Sequence, residues 1–395
     1  MSLTPTARHI LPVIVFSQFC CTSLWFAGNA VMSDLLRNFN LDASALGHLT
    51  SAVQFGFILG TLIFAVFNIA DRFSPSRIFF ICAILGALLN LGILSSNNSI
   101  SSLLLVRFLT GFSLAGIYPV GMKIAADYYQ KGLGTSLGYL VGALVLGTAF
   151  PHFLKMFASA EALPWKLVII TTSSLAITGG VLMLSLVPDG PCRSPALNNN
   201  FTAIPSAFRN PGFKAAAFGY FGHMWELYAF WAFVPFILKS YSFLHPSADF
   251  DIPLLSFVII GCGSIACVAG GYISAKKGSK ITAASALFIS GCCCLLSPLL
   301  ISQASTTALI IFLIIWGLSV VGDSPLFSTL VAQNAPAENR GTALTIVNCI
   351  GFGISIISIQ LLNFCAARIS AEYLFLILAA GPAIGLLRLY RRSKV

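Results

Sequence analysis

Four ionisable side chains stand inside otherwise apolar sequence: Arg107 in Val106-Arg-Phe108, His223 and Glu226 in Gly222-His-Met-Trp-Glu-Leu-Tyr-Ala-Phe-Trp231, and Asp323 in Gly322-Asp-Ser-Pro325. A charge in hydrocarbon costs about 2.5–3.5 kcal/mol on insertion scales, so each of these groups needs a partner or a task. His223 and Glu226 are three residues apart and share one side of a helix. The chemistry expected of the set is proton transfer. Glu226 or Asp323 takes up and releases a proton, with His223 bonded to Glu226 or sharing the transfer. A carboxyl group holds its proton more firmly when buried and less firmly beside a cation, so the approach of Arg107 could switch the site. Arg107 could instead grip an anionic group of a solute. Trp25, Phe26, Trp225, Tyr228 and Trp231 offer rings to an apolar or ring-bearing part, and Tyr118, beside Pro119, offers a hydroxyl. The competing reading is a fixed network in which Arg107 neutralises one acid and the aromatic residues only pack. Gln18, Asn29, Gln54, Asn348 and Gln360 are weaker polar candidates.

Other chemistries find no support. No His-Glu-x-x-His or Cys-x-x-Cys pattern occurs, and His223-x-x-Glu226 lacks further ligands. No catalytic residue, metal or cofactor is therefore expected, and the eleven cysteines read as small packing residues.

The elements that must position these groups are membrane helices. Of 395 residues, 57% are hydrophobic and 9% are charged, against about 25% charged in a soluble protein. Mean hydropathy is +0.90. A soluble enzyme and a disordered chain are excluded. Apolar stretches begin near His9, Gly47, Ile78, Ser99, Gly132 and Lys166, and again near Pro211, Leu254, Ile281, Ser305, Gly341 and Ser370. Each approaches the roughly 20 residues that an α-helix needs to cross a bilayer. The first reads as an uncleaved helix rather than a signal peptide. With both termini inside the cell, sixteen of the 22 basic residues fall on the cytoplasmic side and five on the other, with Arg107 in a span. The net charge of +10 is spread over short membrane loops, which argues against nucleic acid as a partner.

Residues 188–210 form the longest polar stretch and read as a cytoplasmic linker between an N-terminal bundle, 1–187, and a C-terminal bundle, 211–395. The halves are related. Ser113-Leu-Ala-Gly-Ile-Tyr-Pro119 matches Ser319-Val-Val-Gly-Asp-Ser-Pro325, and Trp25 matches Trp231, at a common offset of 206. Duplicated bundles around a midplane site are the architecture of secondary transporters. Pro119 and Pro325 are expected to break their helices at equivalent places.

The loop Phe67-Asn-Ile-Ala-Asp71-Arg72-Phe-Ser-Pro-Ser-Arg77 resembles the signature loop of the major facilitator superfamily, with Phe67 and Ser74 where glycines are usual. Gly271-Tyr-Ile-Ser-Ala-Lys276-Lys277-Gly278 echoes it in the second half. The resemblance implies an all-α membrane protein with twelve transmembrane helices in two pseudosymmetric six-helix bundles. It implies a cavity lined by spans 1, 4, 7 and 10, which hold all four intramembrane charges. It also implies a cytoplasmic latch of Asp71, Arg72 and Arg77 that meets the eleventh helix near Arg340-Gly341. Arg107 resembles the basic residue that many such transporters carry in the fourth helix. Gly134, Gly138, Gly142, Gly147 and Pro151 in the fifth span resemble the glycine-rich signature of drug:proton antiporters but lack its Gly-Pro pair, so the glycines read as close helix packing.

The expected function is secondary active, proton-coupled transport of a small organic solute (an organic anion, an amino-acid-like solute or a metal chelate) by alternating access. The alternative is export of cationic or amphipathic compounds in exchange for protons. No Gly-x4-Gly-Lys-Ser/Thr loop is present to couple ATP. A channel and an intramembrane enzyme are the other classes weighed. Expected partners are the solute, protons and lipid, with a monomer in the inner membrane of a bacterial cell.

Overall fold

The computed structural model describes residues 8–129, 133–159, 165–193, 207–336 and 340–390. Every regular element among them is helical. Eleven helices are long and apolar enough to cross a membrane, and a shorter apolar helix, Ile10–Thr22, precedes them. Span 1 starts with that helix. Spans 2 to 6 are Ala45–Val66, Pro75–Leu94, Ile100–Tyr128, Ser136–Phe157 and Lys166–Leu186. Spans 7 to 12 are Pro211–Leu244, Ile252–Lys277, Ser279–Gln303, Thr306–Asn334, Arg340–Cys365 and Ala371–Tyr390. Helices prevail because hydrocarbon offers no partner to a backbone N–H or C=O, and a helix pairs them internally.

Three of the spans that hold site candidates are interrupted. Span 1 unwinds after Thr22 and resumes as Ala27–Ala30 and Met32–Asn38. Span 4 is Ile100–Leu114 followed by Tyr118–Tyr128, with Pro119 in the first turn of the second piece. Span 10 is Thr306–Gly322 followed by Ser324–Asn334, with Pro325 in the matching place. The breaks in spans 4 and 10 fall at equivalent points of the repeat, as the two prolines led one to expect. Proline has no N–H to offer the carbonyl one turn back. In span 10 that carbonyl, on Val321, lies 3.6 Å from Cys267 Sγ, which donates to it.

Spans 1 to 6 pack as one bundle and spans 7 to 12 as another. The first is drawn tight by glycines. A Cβ added at Gly56 would stand 1.9 Å from the carbonyl oxygen of Phe108, and one at Gly111 would stand 1.9 Å from that of Val53. The bundles meet along two seams, span 2 on span 11 and span 5 on span 8. In the second seam Gly142 and Gly138 lie against the backbone of Ser264 and Cys267, and the hydroxyls of Tyr139 and Tyr272 are 3.2 Å apart.

The chain after span 6 is anchored to its own bundle. Tyr128 donates to the Pro188 carbonyl at 2.6 Å, and Ser74 Oγ to Asp189 Oδ1 at 2.7 Å. Arg193 pairs with Asp189 at 2.8 Å and donates to the carbonyls of Asp71 and Phe73. Of the expected linker, 194–206 lie outside the described residues.

Candidate functional site

The seam between spans 2 and 11 is zipped at one end and open at the other. At the end where span 2 begins, Asn363 Nδ2 donates to the Ser44 carbonyl at 3.0 Å. Next, Gln360 Nε2 donates to Ser51 Oγ at 2.8 Å and Ser355 Oγ to Gln54 Oε1 at 2.9 Å. Toward the other end the same two helices diverge around a cavity of about 460 Å³, bordered by Thr61 and Phe64 of span 2, Tyr118 of span 4 and Thr345 and Asn348 of span 11. Asp71 and Lys123 border it on the face that carries the short helix Ile69–Arg72.

Tyr118 and Asn348 also border a void of about 20 Å³ between the bundles. Tyr220, Tyr228 and Trp231 of span 7, Ser324 and Ser328 of span 10 and Phe352 of span 11 complete its polar and aromatic lining. On the zipped side an aromatic cluster closes the space. Trp25 stacks on Tyr228 at 5.6 Å and on Phe352 at 5.7 Å, and Phe57 lies 4.7 Å from Phe352. These contacts cross from one bundle to the other. The centre is thus walled by rings and by neutral hydroxyl and amide groups.

Arg107 is 1% exposed and differs from the expectation that it meets an acid. Its guanidinium donates to the carbonyls of Leu24, at 3.1 Å, and of Trp25. The physical reason is the break in span 1, which leaves carbonyls without helical donors. A five-donor cation satisfies them without a carboxylate. Gly28 leaves it room, since a Cβ there would lie 3.4 Å from Arg107 Nε.

His223 and Glu226 also part company. Glu226, fully buried, accepts from Trp316 Nε1 at 2.6 Å, Ser290 Oγ at 2.9 Å and Cys294 Sγ at 3.4 Å. All three donors belong to the second bundle. His223 turns instead to span 10, with its Nδ1 2.7 Å from Asp323 Oδ1 and both side chains fully buried. This pair sits one layer behind the void, between lining residues: Met224 follows His223 and Ser324 follows Asp323. Trp225 faces away from the void and donates to the Ile377 carbonyl at 3.1 Å.

Asp71 pairs with Lys123 of its own bundle at 2.9 Å, and Lys123 also reaches Asp127 at 3.5 Å. Arg72 and Arg77 are exposed and form no ion pair with the described residues. Among the described residues no three His, Cys, Asp or Glu side chains gather closely enough to hold a metal ion.

The sequence reading did not find Trp316, Ser290 and Cys294 as the cradle of Glu226, nor Lys123 as the partner of Asp71. Lys123 carried a signal, the spacing of four residues to Asp127 on one helix face. The cradle carried none, because its members come from spans 9 and 10 while Glu226 is on span 7.

The model of the Major Facilitator Superfamily matches residues 14–359. The chain belongs to this family. It is a multi-pass membrane transporter, and the reading against an enzyme holds. The fold is similar to a crystal structure of the nucleoside transporter NupG, with TM-score 0.72 and 16% identity over 97% of this chain and 99% of that one. It is also similar to a bacterial homologue of the human lysosomal transporter Spinster, in an inward-facing and unoccupied conformation, with TM-score 0.67 and 15% identity over 98% and 94%. By sequence, 104 residues are 31% identical to an uncharacterized transporter of Buchnera aphidicola subsp. Baizongia pistaciae (strain Bp), or 26% of each chain. A further 28% identity over 152 residues relates it to the 4-hydroxybenzoate transporter PcaK of Pseudomonas aeruginosa, covering 38% of this chain and 32% of that one. The matched segments therefore span about a quarter to a third of these two relatives.

Proposed function

We propose that this facilitator is a proton-coupled secondary active transporter of a small, ring-bearing organic solute, and that His223 and Asp323 form its proton site. The observation that carries this reading is their 2.7 Å approach, fully buried, on two spans that line the central void. A proton gained or lost by such a pair changes its net charge in a fully buried place, and this alters how spans 7 and 10 hold together. The bundles 1–187 and 211–395 rock about the void, with 188–210 as the linker.

The positive-inside count makes the face with Ile69–Arg72 cytoplasmic. On that assignment the 460 Å³ cavity opens inward and the Ser44–Gln54 zipper closes the outside. Asp71, Arg72 and Arg77 would meet the start of span 11 only when the bundles close on the inner side. The membrane is the inner membrane of a bacterial cell and the working unit is a monomer.

Tyr118, Trp25, Tyr228 and Trp231 are the solute contacts in this reading, with Arg107 and Glu226 holding the frame around them. Rings and neutral polar groups suit an aromatic or heterocyclic solute, in keeping with the 4-hydroxybenzoate and nucleosides named for two of the similar proteins. Export of cations is less favoured, because Glu226 and Asp323 are each already engaged.

The test is transport in proteoliposomes with radiolabelled 4-hydroxybenzoate and uridine. Asp323→Asn and His223→Gln are expected to abolish accumulation driven by a pH gradient while leaving solute exchange at equal pH. Accumulation that survives Asp323→Asn defeats the proton assignment.

A further inference from the structure

Trp25 and Trp231 are equivalent residues of the internal repeat, one in each bundle. Both are buried, at 1% and 0% exposure, and neither indole N–H meets an acceptor among the described residues. The contrast with two other tryptophans of the second bundle is sharp: Trp225 donates to the Ile377 carbonyl and Trp316 to Glu226. Trp231 lines the void, and Tyr228 stands between the two indoles, 5.6 Å from Trp25 and 5.3 Å from Trp231. Buried donors are paired almost everywhere in native proteins, because an unpaired one forfeits its bond to water. Two orphans at symmetric positions, beside the void that separates the bundles, point to an acceptor brought by the cargo.

We infer that Trp25 and Trp231 form a pair of hydrogen-bond donors, one from each bundle, that selects planar solutes bearing carboxylate or carbonyl acceptors and rejects their ammonium-bearing analogues. This rests on the reading of the central void, closed to about 20 Å³ in this conformation, as the solute site once the bundles part. An indole N–H only donates, so it gives an ammonium group nothing, and a site built around a fixed hydrogen bond discriminates strongly against a solute that cannot complete it. A solute held from both sides also ties the bundles together.

The test is binding to purified protein by thermal shift and calorimetry, with benzoate, 4-hydroxybenzoate and uridine against benzylamine and tyramine. Trp25→Phe and Trp231→Phe keep a ring and remove the donor. If either fails to fold, benzothienylalanine at the same position keeps the shape of the indole and replaces N–H with sulfur. The expected result is binding of at least one acceptor-bearing probe, weakened about tenfold by each replacement and unchanged by Trp225→Phe. Binding only of the amines, no binding of any acceptor-bearing probe, or equal binding by the Trp variants overturns the inference. Retained pH-driven accumulation in Asp323→Asn would instead strike the proton site alone, so the two failures are distinguishable.

Discussion

Arg107, in span 4, donates to the backbone carbonyl of Trp25 and so supports the place where span 1 loses its helix. A second donor from the same guanidinium reaches Leu24 at 3.1 Å. The cation therefore fixes the backbone of a tryptophan that stacks on Tyr228 and Phe352 of the other bundle.

Replacing Arg107 exposes that dependence. Arg107→Met leaves the carbonyls of Leu24 and Trp25 buried without donors, at a cost of about 1–3 kcal/mol for each. A thermal melt in detergent is expected to show a large loss of stability, with Arg107→Lys only partly restoring it, because an ammonium group cannot reproduce the fork geometry. A melt like that of the wild type, with solute affinity alone reduced, would mean that Arg107 contacts cargo instead.

Glu226→Gln is expected to lower the melting temperature and to spare pH-driven accumulation. Three donors surround this carboxyl group, and an amide turns its own N–H toward at least one of them. The cost is roughly 1–3 kcal/mol. Loss of accumulation with an unchanged melt would move the proton site from His223 and Asp323 to Glu226.

The polar zipper on the seam of spans 2 and 11 sets how easily that face opens. Gln54→Leu and Ser355→Ala each remove a hydrogen bond worth about 0.5–1.5 kcal/mol, which shifts a two-state balance by roughly two- to tenfold. Hydrogen–deuterium exchange is expected to quicken in residues 44–54 and 355–363 of both variants. Undisturbed protection in both would show that the contact does not hold the face shut.

Close packing of spans 2 and 4 makes Gly56 irreplaceable. An alanine methyl would sit 1.9 Å from the Phe108 carbonyl oxygen, so the helices must separate, with a cost of at least about 1–3 kcal/mol. Gly353→Ala, where an added Cβ meets nothing within 4 Å, serves as the control and is expected to stabilise span 11 by up to about 1 kcal/mol. Comparing expression and melts of the two variants checks this.

Much of the frame was legible without coordinates. Twelve apolar stretches became helices beginning within a few residues of their expected starts, since hydrocarbon leaves a spanning backbone no alternative. Pro119 and Pro325, at matching positions of the repeat, marked the breaks in spans 4 and 10, whereas Pro151, Pro235 and Pro298 sit inside continuous helices. The break in span 1 carries no proline and went unseen until the structure placed Arg107 against it.

The candidate site was legible as a set of residues but not as a set of pairs. His223 and Glu226 lie three positions apart, yet that step turns about 60° round a helix of 3.6 residues per turn. One therefore meets span 10 and the other a pocket made by spans 9 and 10. Spacing along a chain fixes only the direction in which a side chain leaves its helix. Which group waits there depends on the rotation and height of neighbouring helices, and those follow from glycine contacts and ring packing spread over the whole molecule. The sequence thus determined the helices, their duplication and the presence of buried charge. Tertiary packing decided that Arg107 serves a backbone, that Glu226 is enclosed by donors, and that His223 and Asp323 face each other.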